Sequence, residues 1–156
     1  MGDRVSVTLT VLTSHAKQTE NICSSSQDWK ETSGEFTYLT FYEVNYGELD
    51  FLYALEEAGI SYTSEWDQGG DFAAGNKTLR FDTEGNAIIK EVYDKYANPD
   101  IDELIKLLND HEALKQFITD HYNEVTPLPW NNQEHNAKIY RARRLIEGDK
   151  HEPTNT

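Results

Sequence analysis

The chain has 156 residues, with 28 Asp and Glu against 14 Lys and Arg and a formal net charge of −14. That is the length of one ordinary domain, long enough to bury a core, and its charge disfavours direct nucleic-acid binding and adsorption to anionic membranes. A lone Cys23 rules out an internal disulfide. With neither a leader-like n-region and h-region nor an apolar run approaching about 20 residues, the expectation is a cytoplasmic protein without a membrane span.

Val5, Val7, Leu9 and Val11 alternate with Ser6, Thr8 and Thr10, the period-two pattern of a half-buried strand. Ser14 is placed to cap a short helix through Ile22, and the Ser-rich, Gly34-containing stretch after it reads as loop. Phe36 to Val44, rich in Phe, Tyr, Thr and Val, predicts a second strand. Asn45 stands three positions before Glu48 and Gly59 just past Ala58, so a capping box and a glycine stop predict a helix from Tyr46 to Ala58. On that helix Phe51, Leu52, Leu55 and Ala58 would face inward, and Asp50 and Glu57 outward beside Tyr53. Ile60 to Trp66 predicts a strand, and Lys77 to Asp82 with Ala87 to Tyr93 a hairpin about Glu84, Gly85 and Asn86.

Asn98, Pro99 and Asp100 open a helical stretch in which Ile101, Leu104, Ile105, Leu108, Phe117, Ile118, Tyr122 and Val125 recur at helical spacing, as one long helix or a broken pair. Pro127 and Pro129 end it, and Asn131 or Asn132 would cap a last helix that stops at Gly148. These elements predict one α+β domain over residues 1–150, with a frayed tail at 151–156. Its sheet would be mainly antiparallel, of about five strands, with helices packed on one face and a helical C-terminal third.

The most informative feature is charge placement. Glu31, Glu35, Glu43, Glu48, Asp50, Glu56, Glu57, Glu65, Asp67 and Asp71 fall in a stretch, ending at Asn76, that has no Lys, Arg or His. The same stretch carries Tyr38, Tyr42, Tyr46, Tyr53, Tyr62, Trp66 and Phe72, so it is not the aromatic-poor composition of a disordered tail. Ordinary surfaces intersperse both signs, and a folded surface of one sign attracts and steers cationic partners. Glu48 reads as a capping residue, and Phe36, Phe41, Phe51 and Phe81 as core. The outward set is then Glu43, Asp50, Glu57, Glu65, Asp67 and Asp71 around Tyr53 and Trp66, with Phe72 in the glycine loop as a further exposed aromatic.

Other chemistry is weakly supported. Gly70 to Thr78 approximates a phosphate-binding loop, but Asn76 separates the second glycine from Lys77 and breaks the register. Asp67 and Asp71 could hold a hard cation, yet they lack the ligand series of a calcium loop. None of the five His residues forms a His-Glu-x-x-His pair, Cys23 has no partner at zinc spacing, and Glu56 and Glu57 point about 100° apart on a helix. No cofactor is expected. Lys138, Arg141, Arg143, Arg144 and Lys150 reverse the sign near the C-terminus. They read either as complements to the helix dipole and the acidic half, or as a head-to-tail contact that would build a homo-oligomer.

The expected function is an acidic, non-catalytic inhibitor that mimics DNA by occupying the basic surface of a nucleic-acid-handling enzyme. In size and composition, though in no motif, the chain resembles the small acidic anti-restriction and anti-CRISPR inhibitors of phages and plasmids, and the immunity proteins of nuclease toxins. No family residue is carried over. The alternatives are an adaptor that binds through its aromatic loop, and a small metal-dependent enzyme with a cleft near Asp67 and Asp71.

Overall fold

The computed structural model describes residues 3–148; the tail expected at 151–156, and Lys150, lie outside the described residues. Six strands form one antiparallel sheet: β1 (Arg4–Leu12), β2 (Trp29–Ser33), β3 (Phe36–Asn45), β4 (Tyr62–Trp66), β5 (Gly75–Phe81) and β6 (Ala87–Tyr93), in the order β2-β3-β1-β4-β5-β6. Five α-helices accompany it: α1 (Ala16–Ile22), α2 (Leu52–Glu57), α3 (Ile101–Leu107), α4 (His111–Val125) and α5 (Gln133–Gly148). The α+β class is as expected, with six strands in place of about five. The additional strand is β2, all of whose residues are exposed, so no apolar alternation announces it. It exists because β3 offers an open ladder, and its Lys30 and Glu31 suit an edge.

Alternation places the core. Val7, Leu9 and Val11 of β1 share a face with Leu39 and Phe41 of β3, Tyr62 of β4, and Leu79 and Phe81 of β5. α1, α2 and α5 cover this face through Ile22 and Cys23, Leu52 and Leu55, and Ala137 and Tyr140. Fully burying each such aliphatic side chain is worth about 1.5–3 kcal/mol. The first four strands with α1 and α2 run β-α-β-β-α-β in the split βαβ arrangement, and β5 and β6 extend it past β4. That topology specifies no activity.

On the opposite face, the segment between α4 and α5 covers the sheet around Arg80. Arg80, only 2% exposed, donates to the carbonyls of Tyr62 (2.6 Å) and Leu79 (2.9 Å) and to Thr63 Oγ1 (2.8 Å). Trp130 stacks on it at 3.5 Å and meets Phe36 at 5.2 Å. Burial lowers the Arg80 pKa to about 10, since the charged form is the one that loses hydration. Lys90 ties α4 to β6 through the carbonyls of Asn123 and Thr126.

One helix expectation changes, and one alternative is resolved. The helix expected from Tyr46 to Ala58 begins only at Leu52. Asn45 to Glu48 is instead a tight turn, closed by Glu48 N–H to the Asn45 carbonyl (3.2 Å), with φ of +52° at Tyr46 and +70° at Gly47. Two consecutive left-handed residues define a mirror-image turn and forbid a helix start. Glu48 therefore caps nothing, and Asp50 precedes the helix. The glycine stop is correct: Gly59 takes φ +66° and Ile60 N–H reaches back to the Leu55 carbonyl. The C-terminal apolar series resolves into a broken pair, each helix capped by an aspartate, Asp100 for α3 and Asp110 for α4. Its apolar residues are not all core, for Ile101, Ile105 and Leu108 stay exposed.

Candidate functional site

Part of the acidic stretch, Glu43, Glu48 and Asp50, lies at the end of the sheet where β4 leaves and β5 enters. β3 carries a bulge here: Val5 pairs with Val44 and Val7 with Phe41, so Tyr42 and Glu43 together oppose Ser6. Glu43 sits at φ +55°, and the Tyr42 N–H donates to Asp28 Oδ2 at 2.7 Å. Such bulges bend a strand and re-aim its side chains. The chain then turns at Tyr46 and Gly47 and passes over Trp66. A Cβ at Gly47 would lie 2.7 Å from Trp66 Cβ and Cγ, and one at Gly75 would lie 2.7 Å from Cζ2 of the indole. Glycine at both positions lets two backbone segments approach the Trp66 side chain.

Trp66 is accordingly 9% exposed, with its indole N–H donating to the Ala73 carbonyl (3.1 Å) and Tyr93 standing edge-on at 5.7 Å. This corrects the expectation of an exposed anchor. Apolar ring area outweighs outward display where two backbones can close on it. Asp3 joins the two surrounding loops: its carbonyl accepts from Tyr46 N–H (2.8 Å) and its carboxylate from Asp71 N–H (2.6 Å). Tyr46 and Phe72 complete the junction, with centroids 6.0 Å apart.

Between this turn and the sheet lies an open groove of about 870 Å³. Its walls are aromatic, including Tyr42, Tyr46, Phe51, Trp66, Phe72 and Tyr93. Asp28, Glu43, Glu48, Asp50 and Glu91 border it, with Lys77, 3.8 Å from Glu91, the one cation lining it among the described residues. The Tyr93 pKa is raised, first by its hydrogen bond to Glu91 and that residue's charge, then by slight burial and the charge of Glu48. Glu48 and Glu91 thus act on one ring from two elements, the turn after β3 and the strand β6.

Of the expected site residues, Glu43, Asp50, Tyr53 and Trp66 line the groove. Asp67 and Asp71 are exposed on the adjoining loop and do not line it. Glu65 points to the other face of β4, since its neighbour Ser64 is on the groove side. Glu57 is drawn away altogether: both its oxygens accept from Arg144, at 2.5 and 2.7 Å. That pairing lowers the Glu57 pKa and raises that of Arg144, while Tyr53, 69% exposed, has its pKa raised chiefly by a hydrogen bond to Glu57.

The basic C-terminal helix is committed within the chain. Arg141 donates to the Gly59 carbonyl (2.9 Å), Arg143 to the Glu84 carbonyl and Asn86 Oδ1 (both 2.9 Å), and Arg144 to Glu57. Gly70 to Thr78 enters β5 with no helix after it, unlike a phosphate-binding loop. Among the described residues no three His, Cys, Asp or Glu side chains are grouped to hold a metal ion, and no helix is long and apolar enough to cross a membrane.

Sequence reasoning missed Asp28, Ser64, Lys77, Glu91 and Tyr93 as groove residues. Three of them were within reach: extending the predicted hairpin from Phe81 opposite Ala87 sets Lys77 opposite Glu91 and Gly75 opposite Tyr93. Compared with known proteins, the chain matches no family model, no curated protein and no solved structure.

Proposed function

We infer that this chain is a non-catalytic acidic protein that occupies the basic, nucleic-acid-binding surface of another protein and so inhibits it. One observation carries the reading. Of the ten carboxylates between Glu31 and Asp71, only Glu43 and Glu57 have an ion-pair partner among the described residues. The first of those pairs is loose, with Arg4 at 3.8 Å from an exposed Glu43. Folding therefore leaves the one-signed field of this stretch largely open, the condition for steering and holding a cationic surface. Anti-restriction, anti-CRISPR and nuclease-immunity roles all fit this chemistry, as does work in the cytoplasm, where Cys23 would stay a buried free thiol.

Affinity capture from cells containing a nucleic-acid-handling target tests the proposal. The wild type should retain a basic protein that nucleic acid displaces, and raising salt should release it. The triple variant Glu48→Lys, Asp50→Lys and Asp67→Lys should abolish retention while staying folded. Undiminished capture by that variant would refute the inhibitor reading. Capture lost on replacing Tyr46 and Tyr53, yet indifferent to salt, would support the aromatic-loop adaptor instead.

A further inference from the structure

We propose that the groove between the β3–α2 turn and the sheet receives an arginine side chain presented by a loop of the basic partner. This rests on the proposed function and specifies how that partner is held. Three independent features of the groove select the occupant. First, carboxylates approach from separate elements: Asp28 before β2, Glu48 and Asp50 after β3, and Glu91 on β6. A planar group with five donors can serve several such acceptors at once, which a compact ammonium cannot.

Second, the walls are π faces and edges supplied by Tyr46, Phe72, Trp66 and Tyr93, held by their mutual packing. A guanidinium stacks on such faces, and cation–π attraction strengthens as water is excluded. Third, Ser64 on the groove floor is 1% exposed and its hydroxyl has no hydrogen-bond partner. A buried orphan hydroxyl is costly, and a donor from the entering group would relieve it once the side chains over it part. Lys77 does not fill this role, since its ammonium lies beside Glu91.

Capacity agrees with the assignment. About 870 Å³, open on one side, exceeds the volume of one side chain and falls within the range of about 300–1,000 Å³ usual for ligand sites, so the loop bearing the arginine has room to follow it in. The acidic rim then contributes to encounter, and the aromatic walls to retention.

The experiment uses isotope-labelled full-length protein at low salt, titrated with a short Arg-Gly repeat peptide, its citrulline counterpart and spermine, and read by backbone amide shifts. The Arg peptide should give saturable shifts centred on Phe41, Tyr46, Phe51, Ser64 and Tyr93. The neutral citrulline peptide should not bind. Tyr46→Leu with Tyr93→Leu, which leaves the charge unchanged, should weaken the Arg peptide by about tenfold, the scale of one or two cation–π contacts. Ser64→Ala should weaken it less while leaving the fold intact.

Arg-peptide shifts spread evenly over Glu31, Glu56 and Glu65 and unmoved by the tyrosine variants would overturn the groove assignment, yet leave the acidic-inhibitor reading standing. Spermine binding as tightly as the peptide would overturn the choice of a protein side chain. Normal groove binding by a protein that captures no basic partner from cells would sink the inhibitor reading alone.

Discussion

At the end of the sheet where β5 finishes, the first turn of α5 leaves little polar capacity unused, whereas at the end where β5 begins, carboxylates and a serine hydroxyl stand without partners. Gln133 shows the first condition. Its side-chain oxygen accepts from Phe81 N–H (2.8 Å) and Ser61 Oγ (2.9 Å), and its amide donates to the Phe81 carbonyl (3.0 Å), which also accepts from Asn136 (2.9 Å). The side chain continues the β ladder where no strand is available. Glu48 and Asp50 show the second condition, exposed and with no ion pair among the described residues. A buried polar group left unpaired costs free energy, while an exposed charge can be held open for another molecule. Side-chain pairing is thus dense at one end, and unpaired charge collects at the other.

Gln133→Ala is the severest test of this contrast. It orphans a buried backbone N–H and the Ser61 hydroxyl and should cost about 2–5 kcal/mol in denaturant unfolding. Glu48→Ala should stay within about 0.5 kcal/mol of wild type, as a surface change does. Equal costs for the two would erase the distinction.

A smaller effect should separate two carboxylates that sequence alone groups together. Glu57→Gln removes the bidentate contact with Arg144 and should lower the melting temperature slightly without affecting partner capture. Asp50→Asn should do the reverse, leaving the melting temperature level or raised while weakening capture, because it relieves like-charge repulsion and removes a rim charge. Thermal melts alongside capture decide this, and a capture defect in Glu57→Gln would return that residue to the binding surface.

The smallest effect concerns His15, at the densely paired end, whose pKa is lowered below 6.5 by burial first and then by Arg141; Lys138 acts in the same direction and Glu134 against it. Its Nδ1 has no partner. Because the folded state resists protonation, the unfolded chain takes up the proton first as pH falls. Stability should therefore begin to drop near pH 6.5 and continue downward until the lowered folded value is passed. His15→Gln should flatten that part of the profile; an unchanged slope would assign the loss to other groups.

Much of the scaffold was legible because it is written in local periodicity. The alternation of Val5 to Val11, the turn of the β5–β6 hairpin, Gly59 as a helix stop and Asp100 as a helix cap all act within a few residues. β2 was not legible, since an exposed edge strand carries no apolar pattern. The start of α2 was misread because Asn-x-x-Glu suits a capping box and a mirror-image turn alike. The choice between them lies with Trp66, which requires a side-chain-free backbone at Gly47.

Sequence by itself determined that this is an acidic α+β chain whose first half carries a long run of carboxylates without a counter-charge. Tertiary structure decided which of those carboxylates stay open. Arg144, far along the chain, neutralises Glu57, and β4 alternation sends Glu65 to the other face. The turn at Tyr46 and Gly47 brings Glu48 and Asp50 over the same aromatic groove as Glu91 and Tyr93. The physical reason is range: composition and period act along the chain, while charge neutralisation and groove formation depend on distances that only folding sets.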